Sequence, residues 1–182
     1  APLRDFTAEN LSKKATLFAP RTAKWYVPRS NVGNTGADYY FAENPTFGAE
    51  FTVHMKDDYK SLKAKRKAAE KKLGANDNVP FPGWDALDAE ASETAAKLLL
   101  HIKDAQGNLI RTITAKPKKG SQRIAWDLRH ANPYPVKNGR GGWRSGGPMA
   151  TPGTYMAHLS MEKEGIITPL DGPVSFEVKP IR

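Results

Sequence analysis

Cysteine is absent from the 182 residues, which removes disulfide frameworks, thiolate metal ligands and a thiol nucleophile at one stroke. Nothing in the chain approaches the roughly 20 consecutive apolar residues of a membrane-spanning helix, so membrane insertion is not expected. The four histidines, His54, His101, His130 and His158, lack His-x-His or His-x-x-x-His spacing, so the chain is expected to hold no metal and no other cofactor. His54 and His101 fall on the polar faces of two strands that could be neighbours, and are expected as a surface pair. No charged-then-apolar leader follows Ala1-Pro2, and the chain reads as a fragment or a mature product.

What is present points to a turn-rich globular domain: 39% hydrophobic residues, 14 prolines and 15 glycines. Strict alternation of apolar and polar residues recurs, and on a strand it sorts side chains onto opposite faces. Phe51, Val53 and Met55 share one face of 50–56. Leu98, Leu100 and Ile102 do so in 97–103, Ile124, Trp126 and Leu128 in 123–128, and Val174, Phe176 and Val178 in 174–179. Asp104-Ala-Gln-Gly-Asn108 predicts a hairpin into Leu109–Ile113, Pro152-Gly153 precedes another strand from Thr154, and Trp25-Tyr26-Val27 is a weaker one. About seven short strands without helical crossovers predict a mainly β, antiparallel sandwich.

One segment departs from that pattern. Tyr59–Leu73 holds strong helix formers behind Asp57 and Asp58, and Trp84–Ala96 predicts a second helix with Trp84, Leu87 and Ala91 on one stripe. Together, 57–96 reads as a helical hairpin inserted between two strands. The formal net charge is +9, but its distribution decides what it means. Residues 56–73 carry eight Lys or Arg against three acids, a net of +5, while 74–96 carry five acids and no Lys or Arg, a net of −5. The halves neutralise each other, so the basic helix is expected to be a solvated face and no nucleic-acid partner is expected.

Residues 1–22 space Leu3, Phe6, Leu11, Leu17 and Phe18 without one clean period, as a packing segment or linker lying outside the sandwich of 23–182 would. The glycine-rich stretch Asn138–Pro148 has neither a preceding parallel strand nor a following helix, which excludes a phosphate loop. Glycoside hydrolysis needs two carboxyls about 5 to 10 Å apart, and the candidates are Asp38, Glu43, Asp85 and Asp127. Asp127 lies beside Arg129 on one strand face, where an ion pair would suppress the protonated form a general acid needs. No catalytic residue is expected. Sugar binding has better candidates: Trp143 with Arg140 and Arg144, or Tyr134 between two prolines, would serve as stacking platforms, with docking on a neighbouring domain as the competing use.

Four stretches then carry a resemblance. Asn44–Thr52, Ile102–Thr112, Gly120–Arg129 and Ala150–Tyr155, in this order, resemble the C-terminal region of large exported bacterial proteins with sortilin-like, Asp-box β-propellers, commonly labelled glycosyl hydrolases or xyloglucanase-like. The same order resembles the Ig-like module of flagellar hook-assembly scaffolds. The resemblance implies an Ig-like β-sandwich with the helical hairpin as an insertion, exported to the periplasm, cell surface or medium. It further implies a monomeric accessory domain partnered with a preceding propeller of the same chain, with a plant-type or other polysaccharide as a further partner. Any hydrolytic site would belong to the propeller, because no Ser-x-Asp-x-Gly-x-x-Trp repeat occurs in this chain. The fragment itself is expected not to be an enzyme.

Overall fold

The structure, a computed structural model, describes residues 2–28, 45–73, 78–133 and 146–181. Among the described residues, eight strands make two sheets: β1 (Ala15–Phe18), β3 (Ala49–Met55) and β6 (Gly120–Trp126) in one, with the order β1-β3-β6. The other has the order β2-β8-β7-β4-β5, from β2 (Ala23–Trp25), β8 (Ile166–Pro180), β7 (Gly153–Lys163), β4 (Lys97–Asp104) and β5 (Leu109–Ala115). Every pairing is antiparallel except β2 with β8, a parallel addition at one edge. This is an Ig-like β-sandwich.

The period-two pattern places the core. Phe51, Val53, Met55, Leu98, Leu100, Ile102 and Trp126 are all fully buried, as the alternation requires; β6 ends at Trp126, short of the expected 128, and Leu128 is buried by the turn that follows. Four aromatic rings join the sheets: Phe51 meets Phe176 edge-on at 5.0 Å, and Trp126 meets Tyr155 at 5.1 Å and Phe176 at 6.0 Å. Tyr155 stands near the start of β7 and its Oη donates to the Thr151 carbonyl at 2.6 Å, the tyrosine corner of Ig-like sandwiches. Gly48 allows the close approach at the start of β3: its φ is +107°, and a Cβ there would lie 1.9 Å from the Trp126 carbonyl oxygen.

Asp104 closes the β4–β5 hairpin. Its Oδ1 accepts from the backbone N–H of Gln106 at 3.0 Å and of Asn108 at 2.8 Å, and its Oδ2 accepts from Asn108 Nδ2 at 2.9 Å. The Asn108 side chain, helped by these backbone donors, holds the carboxyl below its ordinary range.

The N-terminal segment differs from expectation. Residues 15–18 form β1 inside the sandwich, with all four side chains buried, because Ala15 and Leu17 face Met55 and Val53 across the pair. Thr16 and Phe18 point to the outer face and are covered there by residues upstream: Phe6 stacks on Phe18 at 4.4 Å, and Thr16 Oγ1 donates to the carbonyl of Asn10 in α1 (Ala8–Ser12). A short strand buried on both faces shows no alternation, which is why its period is not legible. Leu17 N–H also donates to Asp171 Oδ2 at 2.7 Å, tying the edge of one sheet to β8 of the other. The Lys163-Glu164-Gly165-Ile166 turn joins β7 to β8, and β8 begins at Ile166, well before the expected 174. Positive φ at Glu164 and Gly165 suits a two-residue hairpin loop.

Candidate functional site

The Trp126-Asp127-Leu128-Arg129 cluster is structural. β6 ends at Trp126, and the chain turns back over the ring so that the indole N–H donates to the Arg129 carbonyl at 2.9 Å. Leu128 adopts a φ of 54° in making this turn and is fully buried. Asp127 Oδ1 accepts the Arg129 backbone N–H at 3.2 Å, and the Arg129 guanidinium donates to the Gly147 carbonyl at 3.0 Å. The expected Asp127–Arg129 ion pair is therefore replaced: β6 ends at Trp126, before either residue, and the left-handed turn at Leu128 keeps the two side chains from sharing a strand face.

Arg129 bridges to Met149, while Ala150 N–H donates to the Leu128 carbonyl and His130 N–H to Pro148. These bonds zip the base of the glycine-rich loop. Its candidate sugar contacts, Tyr134, Arg140, Trp143 and Arg144, lie outside the described residues, as do the carboxylates Asp38 and Glu43.

The histidine pairing also differs. His54 lies in β3 and His101 in β4, so they belong to different sheets, and His54 Nδ1 instead meets Ser121 Oγ at 3.3 Å. His101 is directly opposite His158 on β7, with Thr112 Oγ1 3.0 Å from its Nδ1 on the other side. Register, which the sequence of one strand does not state, makes this pair. The two imidazoles, Lys103, Ser160 and Asp171 line a cavity of about 520 Å³. Partial burial, then Lys103 and His158, pushes His101 below its usual range, and burial with Lys103 does the same to His158. Among the described residues no group of three or more His, Asp or Glu side chains is placed to hold a metal ion.

A larger trough of about 1040 Å³ runs over the outer face of the three-stranded sheet. Glu50, Thr52, Ser121 and Arg123 line it from β3 and β6, Phe6 from the N-terminal segment, Lys24 from β2, and Arg21, Tyr26 and Phe47 from the flanking loops. Tyr26 and Phe47 meet edge-to-face at 4.9 Å, and Tyr26 is 41% exposed, with Val27 and Ile181 more open still. Arg123 reaches Glu50 at 3.5 Å, leaving the cations in excess along the trough.

The insertion folds as two short helices, α2 (Leu62–Glu70) and α3 (Trp84–Ser92), narrower than the expected 59–73 and 84–96. Ser61 rather than Asp57 or Asp58 caps α2, accepting from the Ala64 N–H at 3.1 Å. The charge segregation resolves into one clamp: Arg66 binds Glu90 through Nε at 2.6 Å and Nη2 at 2.9 Å, and its Nη1 binds Glu70. Glu93 adds a bond to the Leu62 N–H at 2.7 Å. The bidentate Arg66 contact pulls Glu90 below its ordinary range and raises the guanidinium further. Neither helix buries a residue. The expected Trp84 stripe is not an internal seam: Trp84 is 73% exposed, beside Phe81 at 62% and Val79 at 50%.

Residues 77–140, from before α3 to beyond the end of β6, match the model of the FlgD Ig-like domain family. No curated protein and no solved structure matches the chain. The match and the two-sheet architecture agree on an Ig-like module resembling that of a flagellar hook scaffold, a type that serves as a non-catalytic accessory domain.

Proposed function

We propose that this domain is the accessory module of a larger exported bacterial protein of the sortilin-like propeller type, packed on the preceding propeller and shaping access to it. The observation that carries the reading is a closed sandwich that leaves large apolar side chains outside. Tyr26, Val27 and Ile181 are exposed beside the trough, on the side where the N-terminal segment is already fastened through Phe6. A sandwich with a complete core gains nothing from such residues unless another surface covers them. The order of the four motifs supports the propeller as that surface, and the propeller as the place of any glycoside hydrolysis. The test is to sequence upstream of Ala1, express that region separately and mix it with this chain. Co-elution as an equimolar complex is the expected result; an upstream region without propeller repeats, or with no affinity for this domain, overturns the proposal.

A second reading has one observation of its own. The trough combines an aromatic wall, Tyr26 and Phe47, with hydroxyl and guanidinium groups from Thr52, Ser121 and Arg123, the mixture that neutral or acidic polysaccharides use. Under this reading the domain is a carbohydrate-binding module, with Trp143, Tyr134, Arg140 and Arg144 as further contacts. Retention on immobilised xyloglucan or related glycans that Tyr26→Ala abolishes would favour it over docking.

A further inference from the structure

The helical insertion raises its own question: why two ordered helices should stand without a single buried residue between them. Helices of nine residues are marginal alone, yet α2 is capped by Ser61, and the pair is clamped by Arg66 across to Glu90 and tied at the base by Glu93. What the clamp presents is an apolar tip. Val79, Phe81 and Trp84 are all at least half exposed, and Pro80 and Pro82 stiffen the backbone between them.

We infer that this tip anchors the domain to its partner, with Trp84 as the central residue, and that the receiving surface is a protein pocket, apolar at its floor and basic at its rim. The inference rests on the accessory-domain reading above, which identifies the partner as the preceding propeller. Shape argues for protein over sugar. Phe81 and Trp84 meet edge-to-face, 5.3 Å apart at an interplanar angle of 68°, so together they form a wedge and offer no flat stacking platform. Tryptophan seated in a desolvated pocket is the commonest strong anchor of protein interfaces. Charge gives the rim. Asp85 adjoins Trp84 and Asp88 lies one helical turn on, both exposed, and no Lys or Arg occurs between 74 and 96. A tip of this sign repels nucleic acids and acidic glycans, and a tip-to-tip contact between two copies would set these acids against each other. The electrostatic complement of such a tip is a basic rim.

The test uses the intact chain and the separately expressed propeller region, with affinity followed by calorimetry at two salt concentrations. Trp84→Ala is expected to weaken binding about 30-fold or more, with an unchanged melting temperature because the ring is exposed in the free domain. The charge reversal Asp85→Lys with Asp88→Lys is expected to weaken binding and to reverse its salt dependence. If the wild-type chain does not bind the propeller, the accessory-domain reading fails and this inference with it. If the wild type binds and Trp84→Ala binds equally well, the inference alone is overturned. Trp84-dependent dimerisation in sedimentation equilibrium would overturn it in favour of a second copy, and Trp84-dependent retention on a polysaccharide would overturn it in favour of a glycan.

Discussion

Replacing Trp126 separates a core anchor from a binding platform. The ring is fully buried between the sheets, packed against Tyr155 and Phe176, and its N–H satisfies the Arg129 carbonyl. Trp126→Ala removes the packing and opens a cavity that a two-layer core relaxes into only partly, a loss of about 4 kcal/mol. Trp126→Phe keeps an aromatic ring but removes the donor to Arg129 and part of the volume, a loss of about 2 kcal/mol. For a chain of this length each kcal/mol lowers Tm by about 2–4 °C, so the two variants should melt about 8–16 °C and 4–8 °C below wild type. Urea unfolding, followed by far-ultraviolet dichroism so that loss of the fluorophore does not matter, gives the free energies directly. A Trp126→Ala variant within about 1 kcal/mol of wild type would refute the assignment, since no fully buried indole is removed that cheaply.

Gly48→Ala should cost about 3 kcal/mol or more in denaturant unfolding, since the left-handed φ and the overlap with the Trp126 carbonyl add. Gln122 faces inward opposite Val53, and its Nε2 is buried without a hydrogen-bond partner among the described residues; Gln122→Met should therefore raise stability by about 1 kcal/mol, read from the urea midpoint. Arg66→Ala should release the hairpin, lowering hydrogen-exchange protection over residues 62–92 while leaving the global unfolding midpoint unchanged, because neither helix contributes to the core. His101 and His158 both titrate below their unfolded values, so the unfolded chain binds more protons once pH falls through about 6.5. Stability should accordingly be full above that pH and decline below it. His101→Gln with His158→Gln should flatten thermal melts between about pH 7 and pH 5.

The strands that face water on one side were legible because one-sided burial writes itself as alternation. Val53 and Ile102 could be placed inward from their neighbours alone. β1 was not legible, since Thr16 and Phe18 are buried by the N-terminal segment on the face that would otherwise be polar. The early part of β8 was hidden for a different reason: Pro169, Gly172 and Pro173 punctuate it, and the register shifts along its pairing with β7 accommodate that irregularity. The trough combines residues from five separate stretches, and the His101–His158 pair depends on register between strands more than 50 positions apart in the chain. Neither leaves a local signal.

The insertion shows how a correct charge count can still understate a surface. Opposite net charges on its halves predicted mutual neutralisation, and the Arg66–Glu90 contact is that neutralisation in one bidentate pair. A pair of this kind holds two elements that stand outside the core, so it contributes little to global stability. Its effect is geometric: it sets α3 against α2, and so the place from which Trp84, at the start of α3 and edge-on to Phe81, projects. Solvation of the charged faces and presentation of an apolar tip are thus compatible. The lysines of α2 keep one side in water, while the lysine-free stretch from 74 to 96 leaves the other side apolar at its tip and acidic around it.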